Sequence, residues 1–144
     1  MTSETTYGFD TLQIHAGARP DPATGSRQTP IYQSTAFVFR DADHAAALFN
    51  LQEVGYIYSR LTNPTVAVLQ ERIATLEGGV GGVCCSSGHA AQIMALFPLM
   101  QPGRNVVVST RLYGGSITQF SQTIKRFGWG AKFVDFDDLD AVKA

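Results

Sequence analysis

The chain has little cysteine, almost no excess of charge of either sign and no long apolar run, and each shortage removes a class of function. Its only cysteines, Cys84 and Cys85, are adjacent. A disulfide between neighbours would be strained and would staple nothing, and a metal site needs more ligands than the pair offers. Both are therefore expected as reduced core thiols on a buried strand. His15, His44 and His89 lie too far apart in sequence to suggest a zinc motif. Lys and Arg number 11 against 12 Asp and Glu, a formal charge of −1 with the basic residues dispersed, which argues against nucleic acid as a partner. No apolar stretch approaches the roughly 20 residues that cross a bilayer, and Met1-Thr2-Ser3-Glu4-Thr5-Thr6 lacks the basic-then-apolar order of a signal peptide. No membrane partner and a cytoplasmic location are the expectation. Two phosphate motifs are also missing. Gly78-Gly79-Val80-Gly81-Gly82 has no dinucleotide spacing and opens a strand instead of following one, and no glycine-rich loop ends in Lys-Ser or Lys-Thr.

What is present is enough chain, 144 residues, for one domain with a sizeable core. Residues 1–28 are polar and broken by Pro20, Pro22 and Gly25, apart from a patch at Leu12-Gln13-Ile14, and read as an arm. Residues 30–39 are extended and aromatic, followed by Asp41 or Asp43 as the cap of a short helix. In residues 55–60 an extended backbone would put Tyr56, Tyr58 and Arg60 on one face, two phenols beside a guanidinium that matches phosphate or carboxylate oxygens. A partly exposed aromatic strand ending in a solvated Arg is the equal alternative. Asn63-Pro64-Thr65 has the order of N-cap, N1 proline and first turn, and Val66, Leu69, Ile73 and Leu76 follow at helical spacing as a core face before Gly78-Gly79.

From Val80 onward the pattern is α/β. Strands are expected over residues 80–85, 105–109 and 131–135, and a helix over 88–100 carrying Ala91, Met94 and Ala95 at packing positions. A further helix carries Ile117, Phe120, Ile124 and Phe127, and Asp137 is expected to cap a last one. Alternation of this kind implies right-handed crossovers and parallel pairing, with ligands collecting at the carboxyl ends of strands. Two corners lie there, Ser86-Ser87-Gly88-His89 and residues 110–115 around Tyr113. The first has two readings: a helix start whose free N–H groups hold a phosphate, or an ordinary cap in which Ser86 or Ser87 satisfies them. Tyr113 is either the stacking partner of a planar phosphorylated cofactor or a loop aromatic closing the core.

Five motifs stand in order: Gln28-Thr29-Pro30-Ile31-Tyr32-Gln33-Ser34-Thr35-Ala36-Phe37, Tyr56-Ile57-Tyr58-Ser59-Arg60-Leu61-Thr62-Asn63-Pro64-Thr65, Leu76-Glu77-Gly78-Gly79, Ser86-Ser87-Gly88-His89-Ala90-Ala91 and Leu112-Tyr113-Gly114-Gly115. This set resembles the Cys/Met-metabolism family of pyridoxal-phosphate enzymes, most of all its O-acetylhomoserine sulfhydrylase branch. The resemblance implies an α/β, aspartate-aminotransferase-like (fold type I) transferase cut after the first βαβαβ part of its large domain. Residues 1–60 would be an arm on a neighbouring subunit and 61–144 the first part of the cofactor domain. It also implies pyridoxal 5′-phosphate as cofactor and replacement of the acetyl group of O-acetylhomoserine by sulfide or a thiol, giving homocysteine or methionine. Cystathionine synthesis and γ-lyase chemistry share every motif.

By the same resemblance, Gly88 and His89 would offer main-chain N–H groups to the cofactor phosphate and Tyr113 would stack on the pyridine ring and shuttle a proton. Tyr58 and Arg60 would reach the cofactor phosphate of the neighbouring subunit in a homodimer or homotetramer. Relatives often carry Met in place of His89, a change that leaves a main-chain role intact. The family's Schiff-base lysine, pyridine-facing aspartate and carboxylate-binding arginine fall beyond the matched region, and Lys125, Lys132 and Lys143 lack the lysine's context. The chain alone is therefore expected to be inactive.

Overall fold

A computed structural model describes residues 7–143. They gather into two compact units, the first ending at Cys84 and the second starting at Cys85. No helix among the described residues is long and apolar enough to cross a membrane.

The first unit holds three helices, α1 (Phe9–His15), α2 (Ala42–Phe49) and α3 (Pro64–Leu76). Helix α2 starts where expected, Asp41 accepting from the His44 N–H at 2.7 Å, and buries Leu48. Asn63 caps α3 through the Thr65 N–H, but it does more than cap. Its side-chain amide donates to the Tyr32 carbonyl at 2.9 Å and the Ser59 hydroxyl at 3.0 Å, and Asn63 is buried. Thr65 continues the tie, its hydroxyl donating to the Pro30 carbonyl at 2.8 Å and accepting from the Tyr32 N–H at 2.9 Å. The aromatic segment and the Asn-Pro-Thr helix start are thus mutual hydrogen-bond partners, which satisfies backbone groups that no sheet would take.

Helix α3 departs from expectation in the face it buries. Val66, Leu69 and Ile73 are exposed, whereas Ala74 is buried. The segment after α1 lies along the other side: the Arg72 Nε donates to the Ala16 carbonyl at 3.0 Å, and a Cβ on Gly17, which has φ +72°, would stand 2.8 Å from the Val68 carbonyl. Helical spacing identifies a stripe that profits from cover but does not supply the cover. In the loop before the aromatic segment, Asp21 accepts from the Thr24 hydroxyl and N–H, and these bonds hold its carboxyl below its ordinary value of 3.8. Burial, with the Asp21 charge beside it, pushes the Tyr32 phenol up.

The second unit contains α4 (Gly88–Leu96), β1 (Asn105–Ser109), α5 (Gly114–Ser121), a 3-10 turn (Thr123–Phe127), β2 (Gly130–Val134) and α6 (Leu139–Lys143). Strands β1 and β2 pair in parallel, Val107 opposite Lys132, joined through α5 as the alternating pattern requires. Val108, Phe120, Ile124 and Trp129 form the buried core, with Ile93, Leu96 and Met100 packed against it. The expected packing residues of α4, Ala91, Met94 and Ala95, are exposed instead. That helix is apolar on two stripes, and the one bearing Ile93 and Leu96 removes more area from water than two alanines. The helix through Ile117 and Phe120 tightens into the 3-10 turn and stops at Gly128, whose φ of +73° is left-handed.

Two further expectations are corrected. Residues 80–85 are not a strand, and Cys84 and Cys85 are exposed. A strand exists by pairing, and among the described residues β1 and β2 pair only with each other, leaving the 80–85 backbone without a hydrogen-bonded neighbour. The last cap is Asp138, which accepts from the Asp140 and Ala141 N–H groups; Asp137 instead pairs with Arg111 at 2.7 Å.

Candidate functional site

At the corner after residue 85 Ser87 is the cap, and the cap leaves two N–H groups over. Ser87, extended at φ −161° and ψ 157°, accepts from the Ala90 N–H at 3.1 Å, and its carbonyl accepts from the Ala91 N–H at 3.0 Å. The first two N–H groups of α4, those of Gly88 and His89, have no partner among the described residues. They point out of a helix N-terminus with the peptide dipoles behind them, an arrangement that attracts an anion.

The second corner comes to the first. Tyr113 occupies the N-cap position of α5, and its ring stacks on the His89 imidazole with centroids 6.0 Å apart and planes 26° from parallel. Ser87, Gly88, His89, Gln92, Tyr113 and Ser116 line one cleft of about 340 Å3. Tyr113 is 77% exposed, so its face is open to a planar ligand and it does not close the core. Gly115 makes the ring pair possible: a Cβ there would stand 2.7 Å from a Tyr113 ring carbon and 2.8 Å from the His89 Cε1. Lys125, Lys132 and Lys143 do not line the cleft.

Tyr58 and Arg60 lie in the first unit and meet each other there. An isolated antiparallel bridge pairs Ala36 with Tyr58, the Phe37 N–H donating to Ile57 and the Ser59 N–H to Thr35. The chain then turns, the Leu61 and Thr62 N–H groups donating to the Tyr58 carbonyl. Tyr56, Tyr58 and Arg60 therefore do not share one strand face. Tyr56 pairs with Phe37 at 5.4 Å, and the Arg60 guanidinium reaches Tyr58 by lying 5.4 Å from its ring centroid. Arg60 is exposed, so the guanidinium is free to meet an anion. Ser59, between them, is held by Asn63 and by its own bond to the Ser34 carbonyl.

Three polar residues have no motif signal in the sequence pattern: Gln92 and Ser116, which line the cleft, and Gln119, which bonds to His89. Gln119 and Ser116 are buried, the Gln119 amide donating to the His89 carbonyl and the Gln92 amide to the Ser116 hydroxyl, each at 3.0 Å. The available signal is a pair of polar residues three apart on the inward side of an apolar helix.

A sequence model of the Cys/Met metabolism pyridoxal-phosphate (PLP)-dependent enzymes matches residues 10–144. The chain belongs to that family. Over 130 residues it is 52% identical to an O-acetyl-L-homoserine sulfhydrylase of Thermus thermophilus, a match covering 90% of this chain and 31% of the relative. Among solved structures it superposes with TM-score 0.89 and 46% identity on a Campylobacter jejuni protein described as an O-acetylhomoserine (thiol)-lyase, solved with N'-pyridoxyl-lysine-5'-monophosphate, over 96% of this chain and 34% of that one. A Lactobacillus plantarum cystathionine gamma-lyase follows at TM-score 0.79 and 35% identity, over 95% and 33%. The fold is thus that of the aspartate-aminotransferase-like PLP enzymes, and the chain spans about a third of the length of the relatives that it matches.

Proposed function

We propose that this chain supplies the phosphate cup and ring partner of a PLP-dependent transferase that replaces the acetyl group of O-acetylhomoserine by sulfide or a thiol, giving homocysteine or methionine. The observation that carries it is the pair of unpartnered N–H groups of Gly88 and His89 beside the open Tyr113 face, in a chain about half identical to sulfhydrylases. The residues fit the phosphate end of the cofactor, which when bound acts as an electron sink for a carbanion next to nitrogen. The two amides bind its phosphate, Tyr113 covers one face of its ring, and the Tyr113 hydroxyl, on an exposed side chain, moves a proton at the reacting carbon.

The test is product analysis with a full-length protein that carries these residues. O-acetylhomoserine and sulfide are expected to yield homocysteine and acetate in equal amounts, with cystathionine cleaved at under a tenth of that rate. Cystathionine cleavage as the faster reaction would replace this reading by the lyase one. The family resemblance puts the groups that make the cofactor reactive beyond the matched residues, so these 144 residues alone are expected to turn nothing over.

The working unit in this proposal is a homodimer or homotetramer in the cytoplasm, with residues 1–60 as the arm and 61–144 as the first part of the cofactor domain. Tyr58 and Arg60 serve the neighbouring subunit's phosphate, an Arg fork beside a phenol being suited to phosphate oxygens. Arg60→Ala is expected to weaken cofactor retention about tenfold. Mixing it with a subunit carrying Tyr113→Ala should restore activity in a share of mixed oligomers. If mixing restores none, the cross-subunit role fails.

A further inference from the structure

We propose that Gln119 is a positioning residue that sets the direction of the phosphate-binding amides at the start of α4. The peptide plane between His89 and Ala90 is gripped at both ends. Its N–H is taken by Ser87 Oγ at 3.1 Å and its carbonyl by the Gln119 amide at 3.0 Å. With that plane fixed, rotation about the His89 Cα is restricted, and so is the direction of the His89 N–H on its other side. A second tie runs parallel to the first: Gln92 lies three residues after His89, Ser116 three before Gln119, and these two are bonded at 3.0 Å. Pairing 89 with 119 and 92 with 116 laces the first turns of α4 to α5 in antiparallel register, so the ties resist sliding and rolling together.

Burial makes the arrangement demanding. Gln119 and Ser116 are 7% and 5% exposed, so neither can trade its partner for water. The Gln92 Oε1 has no partner at all among the described residues. An α5 face built only to pack would carry apolar groups at those places, as it does at Phe120. The polar pair instead holds a main-chain group whose own neighbours are free donors, which is how outer residues orient inner ones.

The inference rests on Gly88 and His89 being the phosphate's donors, and the experiment separates the two ideas. Pyridoxine 5′-phosphate and pyridoxine, which differ only in the phosphate and form no bond to lysine, are titrated into the apo form of a full-length protein that carries these residues. The ratio of their affinities measures what the phosphate adds. Gln119→Leu is expected to lower that ratio about tenfold while pyridoxine binding and the urea midpoint change little; Ser116→Ala should lower it less. Should Gln119→Leu fail to fold, Gln119→Met, unbranched and of similar length, takes its place. A ratio unchanged by the Gln119 variant but lowered by Gly88→Pro removes the positioning role and leaves the cup standing. A ratio unchanged by both removes the cup and the inference with it. Equal losses for both ligands would mark Gln119 as structural only and also overturn the proposal.

Discussion

Replacing Ile124 by alanine is expected to destabilise the second unit by about 3 kcal/mol, roughly a hundredfold or more in the folded-to-unfolded ratio. Ile124 is the one fully buried large side chain among the described residues, enclosed by Val108, Phe120 and Trp129. It sits in the 3-10 turn between α5 and β2, so the hole left by its three lost carbons is bounded by a strand, a helix and an indole. Val108 is held in the parallel pairing of β1 with β2, and Phe120 and Trp129 are buried among the same neighbours, so the site collapses little and keeps its cavity. Urea unfolding monitored by Trp129 fluorescence is the measurement, since the only tryptophan is in the same cluster. A cost below 1 kcal/mol would mean that this cluster is not the core. Ile73→Ala is the matched comparison: the same atoms leave an exposed position on α3, where the change is expected to stay within about 0.5 kcal/mol.

That comparison marks how far the sequence could be read. Elements specified by local chemistry were legible: Asn63-Pro64 starting α3, Asp41 starting α2, the valines of β1 in parallel with β2. So was the meeting of Gly88, His89 and Tyr113, because both corners open helices of one α/β unit, although only the Tyr113 corner follows a strand of the sheet. Choices decided between elements were not. Which stripe of α3 or α4 is covered depends on what lies opposite, and both helices carry apolar residues on more than one side. Residues 80–85 have strand composition, but composition supplies no partner. At the corner between Tyr56 and Arg60 Asn63 holds Ser59, while Asn63 and Thr65 are themselves tied to Tyr32 and Pro30, 31 and 35 residues away in sequence, a dependence that period-2 spacing does not contain. Gln119 escaped for the same reason: its meaning is the His89 carbonyl it reaches, and a glutamine within a helix has no local signature.

Gly88→Pro is expected to lower affinity for pyridoxine 5′-phosphate by about 10- to 100-fold while leaving pyridoxine binding and the fold unchanged. Proline at this place removes one N–H and puts its Cδ where the proton stood, so it both deletes the donor and blocks its direction. Gly88 is the first residue of α4, where the missing donor costs the helix nothing and the fixed φ suits it. Ser87 before it is already in the extended conformation that a following proline demands. A Cβ at Gly88 meets no atom within 4 Å. The N–H that is lost has no partner among the described residues, so no internal hydrogen bond goes with it. What changes is confined to a ligand seated at that nitrogen, and a hydrogen bond to a charged phosphate oxygen is of the stronger kind. His89→Ala completes the argument, because it removes the imidazole and keeps the N–H. If the main chain is what holds the phosphate, His89→Ala retains the affinity ratio that Gly88→Pro destroys, and it loses only what the ring contributes by bracing Tyr113. The reverse pattern, a ratio indifferent to Gly88→Pro and abolished by His89→Ala, would move the anion site from the helix N-terminus to the imidazole.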